Sequence, residues 1–110
     1  MAGFKSIVET NIGTTKETIF TCSTGTTATL IGLSLSNLIE ESVEVSCYIY
    51  KNSQDLEGSI ITNAIITPGA SLMIVGGNQK IVLEENDEIR IESNKDASID
   101  SLLSFLESEG

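Results

Sequence analysis

The residues that could act as nucleophiles or hold a phosphate crowd into one stretch of this chain, Thr21–Asn37, TCSTGTTATLIGLSLSN. Hydroxyls, a cysteine and two glycines run into an aliphatic segment that stops at an asparagine. A Ser, Thr or Cys nucleophile needs a neighbouring base, most often histidine. The 110-residue sequence contains no histidine, so Ser–His and Cys–His arrangements are excluded. A phosphate loop needs a lysine after its last glycine and a helix that presents its N-terminus. STGTT lacks the lysine, and VGGNQK at 75–80 lacks the spacing and the terminal hydroxyl. Ser–Lys and carboxylate pairs occur by chance in any acidic chain, and none stands above the others here. A glycosidase pair needs a shaped cleft, and the chain has no tryptophan to stack on a sugar. The chemistry-bearing residues define no catalytic site and imply no cofactor.

Metal ligation fares no better. Glu85–Glu88, ENDE, gathers oxygen ligands as calcium prefers, but it lacks the length and the bidentate twelfth ligand of a calcium loop and reads as an acidic turn. Cys22 and Cys47 have no second cysteine nearby and no histidine, so a zinc site would lack ligands. They read as small buried hydrophobes, with a disulfide as the alternative. Sixteen acidic and six basic side chains give a formal charge of −10. The cations Lys5, Lys16, Lys51, Lys80, Arg90 and Lys95 are scattered, which argues against nucleic acid as a partner. No apolar run approaches the roughly 18 residues of a membrane span. The opening MAGFKSIVET has no signal pattern, so synthesis in the cytosol is expected.

The elements that would position any site are short, β-branched and regularly punctuated. Strands are expected near 4–9, 17–22, 26–36, 43–51, 59–66, 71–75, 80–83, 88–92 and 97–106. The pattern specifies an all-β chain: a compact antiparallel β-sandwich, jelly-roll-like, of about eight to nine short strands. One domain is expected over 16–110, with 1–15 as an N-terminal arm and first strand. Gly13, Gly25 and Gly69 are expected at positive φ, Pro68–Gly69 at the centre of a type II turn, Gly76–Gly77–Asn78 in a hairpin and Glu85–Asn86–Asp87 in a turn.

Alternation then sorts the faces. In the third strand Thr29, Ile31, Leu33 and Leu35 are expected on one face, with Leu30, Gly32, Ser34 and Ser36 on the other. In the fourth, Val43, Val45, Cys47 and Ile49 face in, and Glu44, Ser46, Tyr48 and Tyr50 face out. Ile89 and Ile91 face in, opposite Arg90 and Glu92. Tyr48 and Tyr50 read either as contact residues or as surface rings beneath a loop. The last segment, ASIDSLLSFLESE, has helical spacing at Ile99, Leu102, Leu103 and Leu106, but its serines weaken a helix and it is read as a strand. As a strand it is apolar on both faces, which places Leu102 and Leu106 at a subunit interface.

Three blocks together resemble small β-sandwich virion proteins of tailed bacteriophages: Phe20–Thr21–Cys22–Ser23–Thr24–Gly25–Thr26–Thr27–Ala28 with Leu30 to Leu35 and Asn37; Pro68–Gly69–Ala70–Ser71–Leu72 through Asp87–Ile89; and the final Ser-rich strand ending Leu106–Glu107. Ser23 stands where that family commonly has Pro, and Asn86 where it commonly has Gly, so looser turns are expected at both. The resemblance implies a non-enzymatic capsid decoration or accessory protein, made in the host cytoplasm and located in the virion. It implies a homo-oligomer, a trimer first, that contacts other phage capsid or tail proteins, with Met1–Thr15 as a docking arm. Self-association is assigned to Tyr48, Tyr50, Leu102 and Leu106. A tail or neck fibre piece, including a receptor-binding tip, and a bacterial carbohydrate- or protein-binding module are the alternatives.

Overall fold

The computed structural model describes residues 3–109 and contains nine strands: β1 (Gly3–Ile12), β2 (Glu17–Thr21), β3 (Thr26–Asn37), β4 (Val43–Lys51), β5 (Leu56–Ile66), β6 (Ser71–Val75), β7 (Ile81–Leu83), β8 (Glu88–Ser93) and β9 (Ile99–Glu109). All pairings are antiparallel. One sheet, called A below, has the order β1-β9-β3-β6, with β7 also on β3; the other, B, has the order β2-β8-β4-β5.

β6 and β7 lie end to end along one edge of β3. β6 pairs with Leu33–Ser36 and β7 with Ala28–Leu30. The turn at Gly76–Gly77–Asn78 therefore does not make the expected hairpin. The chain keeps its direction through it, because β3 offers a single long edge to both segments. Counted as one broken strand, β6 and β7 complete an eight-strand jelly roll of two four-stranded sheets.

The core lies between the sheets. Leu30, Leu33, Leu35, Val43, Val45, Ile89, Ile91, Ile99 and Leu103 are fully enclosed, and each contributes about 1.5–3 kcal/mol through burial before entropy is counted. β8 and β9 keep the expected alternation, and β4 keeps it from Val43 to Val45. After that Ser46, expected to face solvent, is buried and accepts a bond from Asn63 N at 3.0 Å, and Ile49 is only partly buried. β3 departs from it too. A bulge between Leu30 and Gly32 leaves Ile31 without a partner on β9 and shifts the phase of everything before it. Ala28 and Leu30 are buried beside Leu33 and Leu35, while Thr29 and Ile31 are only partly covered. The expectation that Ile31 is core and Leu30 is not is reversed by that one extra residue.

The loop that opened the sequence analysis is a closed turn. Thr26 N donates to Ser23 O at 3.2 Å, with Gly25 at φ 82°. The acidic turn is closed in the same way, Asp87 N to Glu84 O at 3.1 Å, with Asn86 at φ 66°. The two turns are stitched together: Asn86 N donates to Cys22 O at 2.7 Å, Cys22 N to Asp87 O at 2.9 Å, Gly25 N to Glu85 Oε1 at 3.0 Å and Thr24 Oγ1 to Asn86 Oδ1 at 3.1 Å. At the two positions where looser turns were expected, Asn86 itself takes the left-handed conformation and the cross-links tie both turns together. Gly69 has φ 75° in a turn closed by Ala70 N to Thr67 O at 3.1 Å. Gly13 is not at positive φ. It is small because a Cβ there would come within 3.0 Å of Ala97 N.

Candidate interaction surface

The outer face of sheet B is a network of rings and charges. Alternation sends Tyr48 and Tyr50 outward from β4 beside Arg90 and Glu88 of β8 and Ser59 and Glu57 of β5. Lys16 Nζ sits 4.0 Å above the Tyr48 ring, and the Arg90 guanidinium carbon 4.4 Å above the Tyr50 ring. Tyr48 Oη donates to Glu92 Oε1 at 2.6 Å, and Tyr50 Oη to Asp55 Oδ1 at 2.7 Å. Glu57 bridges Lys16 at 2.8 Å and Arg90 at 2.9 Å, which holds its carboxyl below the usual glutamate range. The bond to Glu92 raises the Tyr48 phenol, since ionisation would set two negative charges together. Both tyrosines are thus half-covered rings with their polar ends satisfied within the chain.

Asp87 is the buried carboxylate of the molecule's described part. Burial disfavours its charge, but Lys51 Nζ at 2.5 Å and the amides of Glu84 at 2.8 Å and Asn52 at 2.9 Å outweigh that, so its carboxyl titrates below the ordinary aspartate value. The ENDE turn thus spends its most enclosed oxygens on a lysine and on backbone. Among the described residues no group of three or more His, Cys, Asp or Glu could hold a metal ion. Cys22 and Cys47 are both buried and unbonded, and burial pushes the Cys47 thiol up to about 12.

The outer face of sheet A is different in kind. Strand register arranges it in rows that cross the sheet. Phe4, Leu106, Thr29 and Val82 form one row; Val8, Leu102, Ser34 and Met73 form another. Between them lie Ser6, Ser104 and Gly32, and beyond the second row lie Asp100, Ser36 and Ser71. Phe4 is 76% exposed, Met73 69%, Val8 61% and Val82 58%. Among the described residues of these four rows Asp100 is the one ionisable side chain, and its Oδ1 accepts a bond from Asn11 N at 3.0 Å. A depression of about 220 Å³ opens at Gly32 and is lined by Ile31, Met73, Gly77, Leu102 and Ser104.

The structure therefore brings Leu102 and Leu106 onto one face and puts Tyr48 and Tyr50 on the opposite face of the sandwich. Phe4, Val8, Met73 and Val82 were missed from sequence. The signal that marked Leu102, adjacent apolar residues in one strand, was also present in Ile7–Val8, Met73–Ile74 and Ile81–Val82. The 1–15 segment lies mostly in β1, whose Gly3–Glu9 pairs with β9 and forms one flank of this face; Met1 and Ala2 lie outside the described residues. A larger cleft, about 430 Å³, opens between the edges of β1 and β2 over Ile7, Ile19, Phe20 and Phe105. Its two ionisable lining groups, Lys5 and Glu107, pair with each other at 2.6 Å. Among the described residues no helix is long and apolar enough to cross a membrane.

No protein-family model matches the chain, and no curated protein matches it. Its fold recurs in solved structures of low sequence identity. The capsid protein in the T13 particle of infectious bursal disease virus is similar over 96% of this chain, at 13% identity and TM-score 0.59. This chain spans only 30% of that one. A protein of Bacillus endospore appendages, described as disulfide-linked pili, is similar over 99% of this chain and 87% of its own, at 13% identity and TM-score 0.59. The nucleoplasmin-like N-terminal domain of Drosophila FKBP39 is similar over 98% and 91%, at 16% identity and TM-score 0.53. At these identities the shared property is the sandwich.

Proposed function

We propose that the chain is a non-enzymatic assembly subunit that binds further copies of itself through the outer face of sheet A. The observation that carries this is the bare apolar face: two rows ending in Phe4, Leu106, Val82, Val8, Leu102 and Met73 on a protein of charge −10. An exposed apolar patch of this extent matches the largest patch of a typical monomer, which is often a functional contact site. At strand spacing the patch covers roughly 500 Å² per copy, or about 1,000 Å² for a pair, the lower end of specific interfaces. Asp100, at one end of the face, is the one acidic side chain among the described residues of its four rows, so two copies can meet over the two apolar rows with few like charges opposed. The proposal assigns self-association to Leu102 and Leu106 and leaves Tyr48 and Tyr50 to the surface network of sheet B.

The finer reading is a virion component, a decoration or accessory protein of a tailed-phage capsid, arranged as a trimer on the particle. The sequence resemblance supports it, and so does the occurrence of the same sandwich in a virus particle. Light scattering on a sizing column tests the assembly step: a closed oligomer of fixed size is expected, and a strict monomer at high concentration would sink the reading. Cryo-EM of a particle would then decide capsid against tail. A second reading, a fibre subunit, is favoured by the near end-to-end match with the endospore appendage protein. It predicts filaments that lengthen with concentration where the first predicts a closed ring.

A further inference from the structure

We infer that Gly32 forms a socket for a side chain of a second copy, and that Phe4 is the side chain it receives. The inference rests on the self-association proposed above and names its register. Gly32 lies inside the longest strand of the fold, directly after the bulge that follows Leu30, and a strand glycine marks either such a bulge or a place of close approach by a ligand or another backbone. Apart from that bulge, nothing within the subunit calls for glycine at position 32. It is not among the positive-φ residues, and a Cβ built there meets only Ser104 Cβ at 3.9 Å, an ordinary contact. What glycine does leave is the depression of about 220 Å³, floored by Gly32 and Ser104 and walled by Ile31, Leu102 and Met73.

Phe4 is the most exposed large hydrophobic residue described on the molecule, and it stands at the opposite flank of the same face, on β1. A projection and a cavity at opposite flanks of one apolar, nearly uncharged face fit a second copy and no third molecule is needed. Met73, 69% exposed and flexible, can fold over the inserted ring. A buried aromatic in a preformed apolar pocket is the usual anchor of such contacts.

The test turns on opposite signs. Gly32→Val fills the socket and places a β-branched residue in a strand. Measured at dilution where the protein is monomeric, its thermal midpoint should equal or exceed that of the wild type. In sedimentation velocity its self-association should be at least tenfold weaker, and Phe4→Ala should match that loss. Neither variant should assemble alone, but an equimolar mixture should give a one-to-one complex, because Phe4 of the Gly32→Val chain can still enter the open socket of the Phe4→Ala chain. Wild-type association by Gly32→Val, or no complex in the mixture, would overturn the socket. If Leu102→Glu also associates like the wild type, the face itself is not the interface and the broader proposal falls with it.

Discussion

Tyr48, Tyr50, Lys16, Arg90, Glu57 and Glu92 on sheet B, and Phe4, Val8, Leu102, Leu106, Met73 and Val82 on sheet A, project from the two sides of one core by the same strand alternation. On the outer face of sheet B both tyrosine rings are covered by cations and each phenol reaches a carboxylate. The exposed large apolar residues of that sheet, Leu56 and Ile65, are confined to the edge strand β5. On sheet A apolar side chains end in solvent with no charged neighbour to cover them. A face whose groups satisfy each other has little to gain from a partner. A face that leaves several large apolar groups exposed gains by covering them. The difference between the two faces, and not the fold they share, is what points to assembly.

The harshest way to break the comparison is to remove the layer both faces share. Leu33→Asp places a carboxylate at a position 1% exposed and should abolish cooperative folding, costing more than about 4 kcal/mol; loss of the far-UV melting transition is the readout. Next comes the charged clip at the end of sheet B. Asp87→Ala strands Lys51 and the amides of Glu84 and Asn52, and chemical denaturation should show a loss of about 3 kcal/mol.

Acid should act in opposite directions on the clip and on the apolar face. The Asp87 carboxyl titrates lower in the folded chain than in the unfolded one. Its stabilisation is therefore complete above the unfolded value, about 3.9, and is lost as pH falls through the lower folded value. Glu57 acts in the same direction. Melting midpoints should fall below about pH 4, while association through the nearly charge-free face should strengthen as the net charge of −10 is titrated away. A parallel weakening of both would contradict the separation of the faces.

Leu102→Glu should act on association alone. The residue is 46% exposed, so folding stability should stay within about 0.5 kcal/mol, while light scattering should show a shift toward monomer. The smallest effect belongs to Tyr48→Phe. It removes the 2.6 Å bond to Glu92 and should cost about 1 kcal/mol with the oligomer unchanged; dissociation by this variant would restore Tyr48 to the interface.

Much of the sandwich was legible because local rules suffice for it. Val43–Lys51 and Ser71–Val75 have the expected bounds, and Ile99, Ser101, Leu103 and Phe105 are all buried on one face of the last strand. Turn residues and period-two alternation act over a few positions, so they survive into the fold. Leu102 and Leu106 were visible for the same reason, as apolar residues on the wrong face of a readable strand. The reversal of Leu30 and Ile31 was not visible, because a bulge depends on the partner strand's register and leaves no mark in composition.

By itself, then, the sequence determined the all-β character, the number of strands, the turn at Gly25 and the absence of a histidine-dependent site. Only the tertiary structure decided that Lys16 and Arg90 cover Tyr48 and Tyr50, that β6 and β7 share one edge, and that Leu102 and Met73 lie around Gly32 on the face that also carries Phe4. The physical reason is range. Backbone propensity is set by neighbours in the chain, whereas a surface is assembled from residues as distant as Phe4 and Leu106, which meet only after the strands have paired.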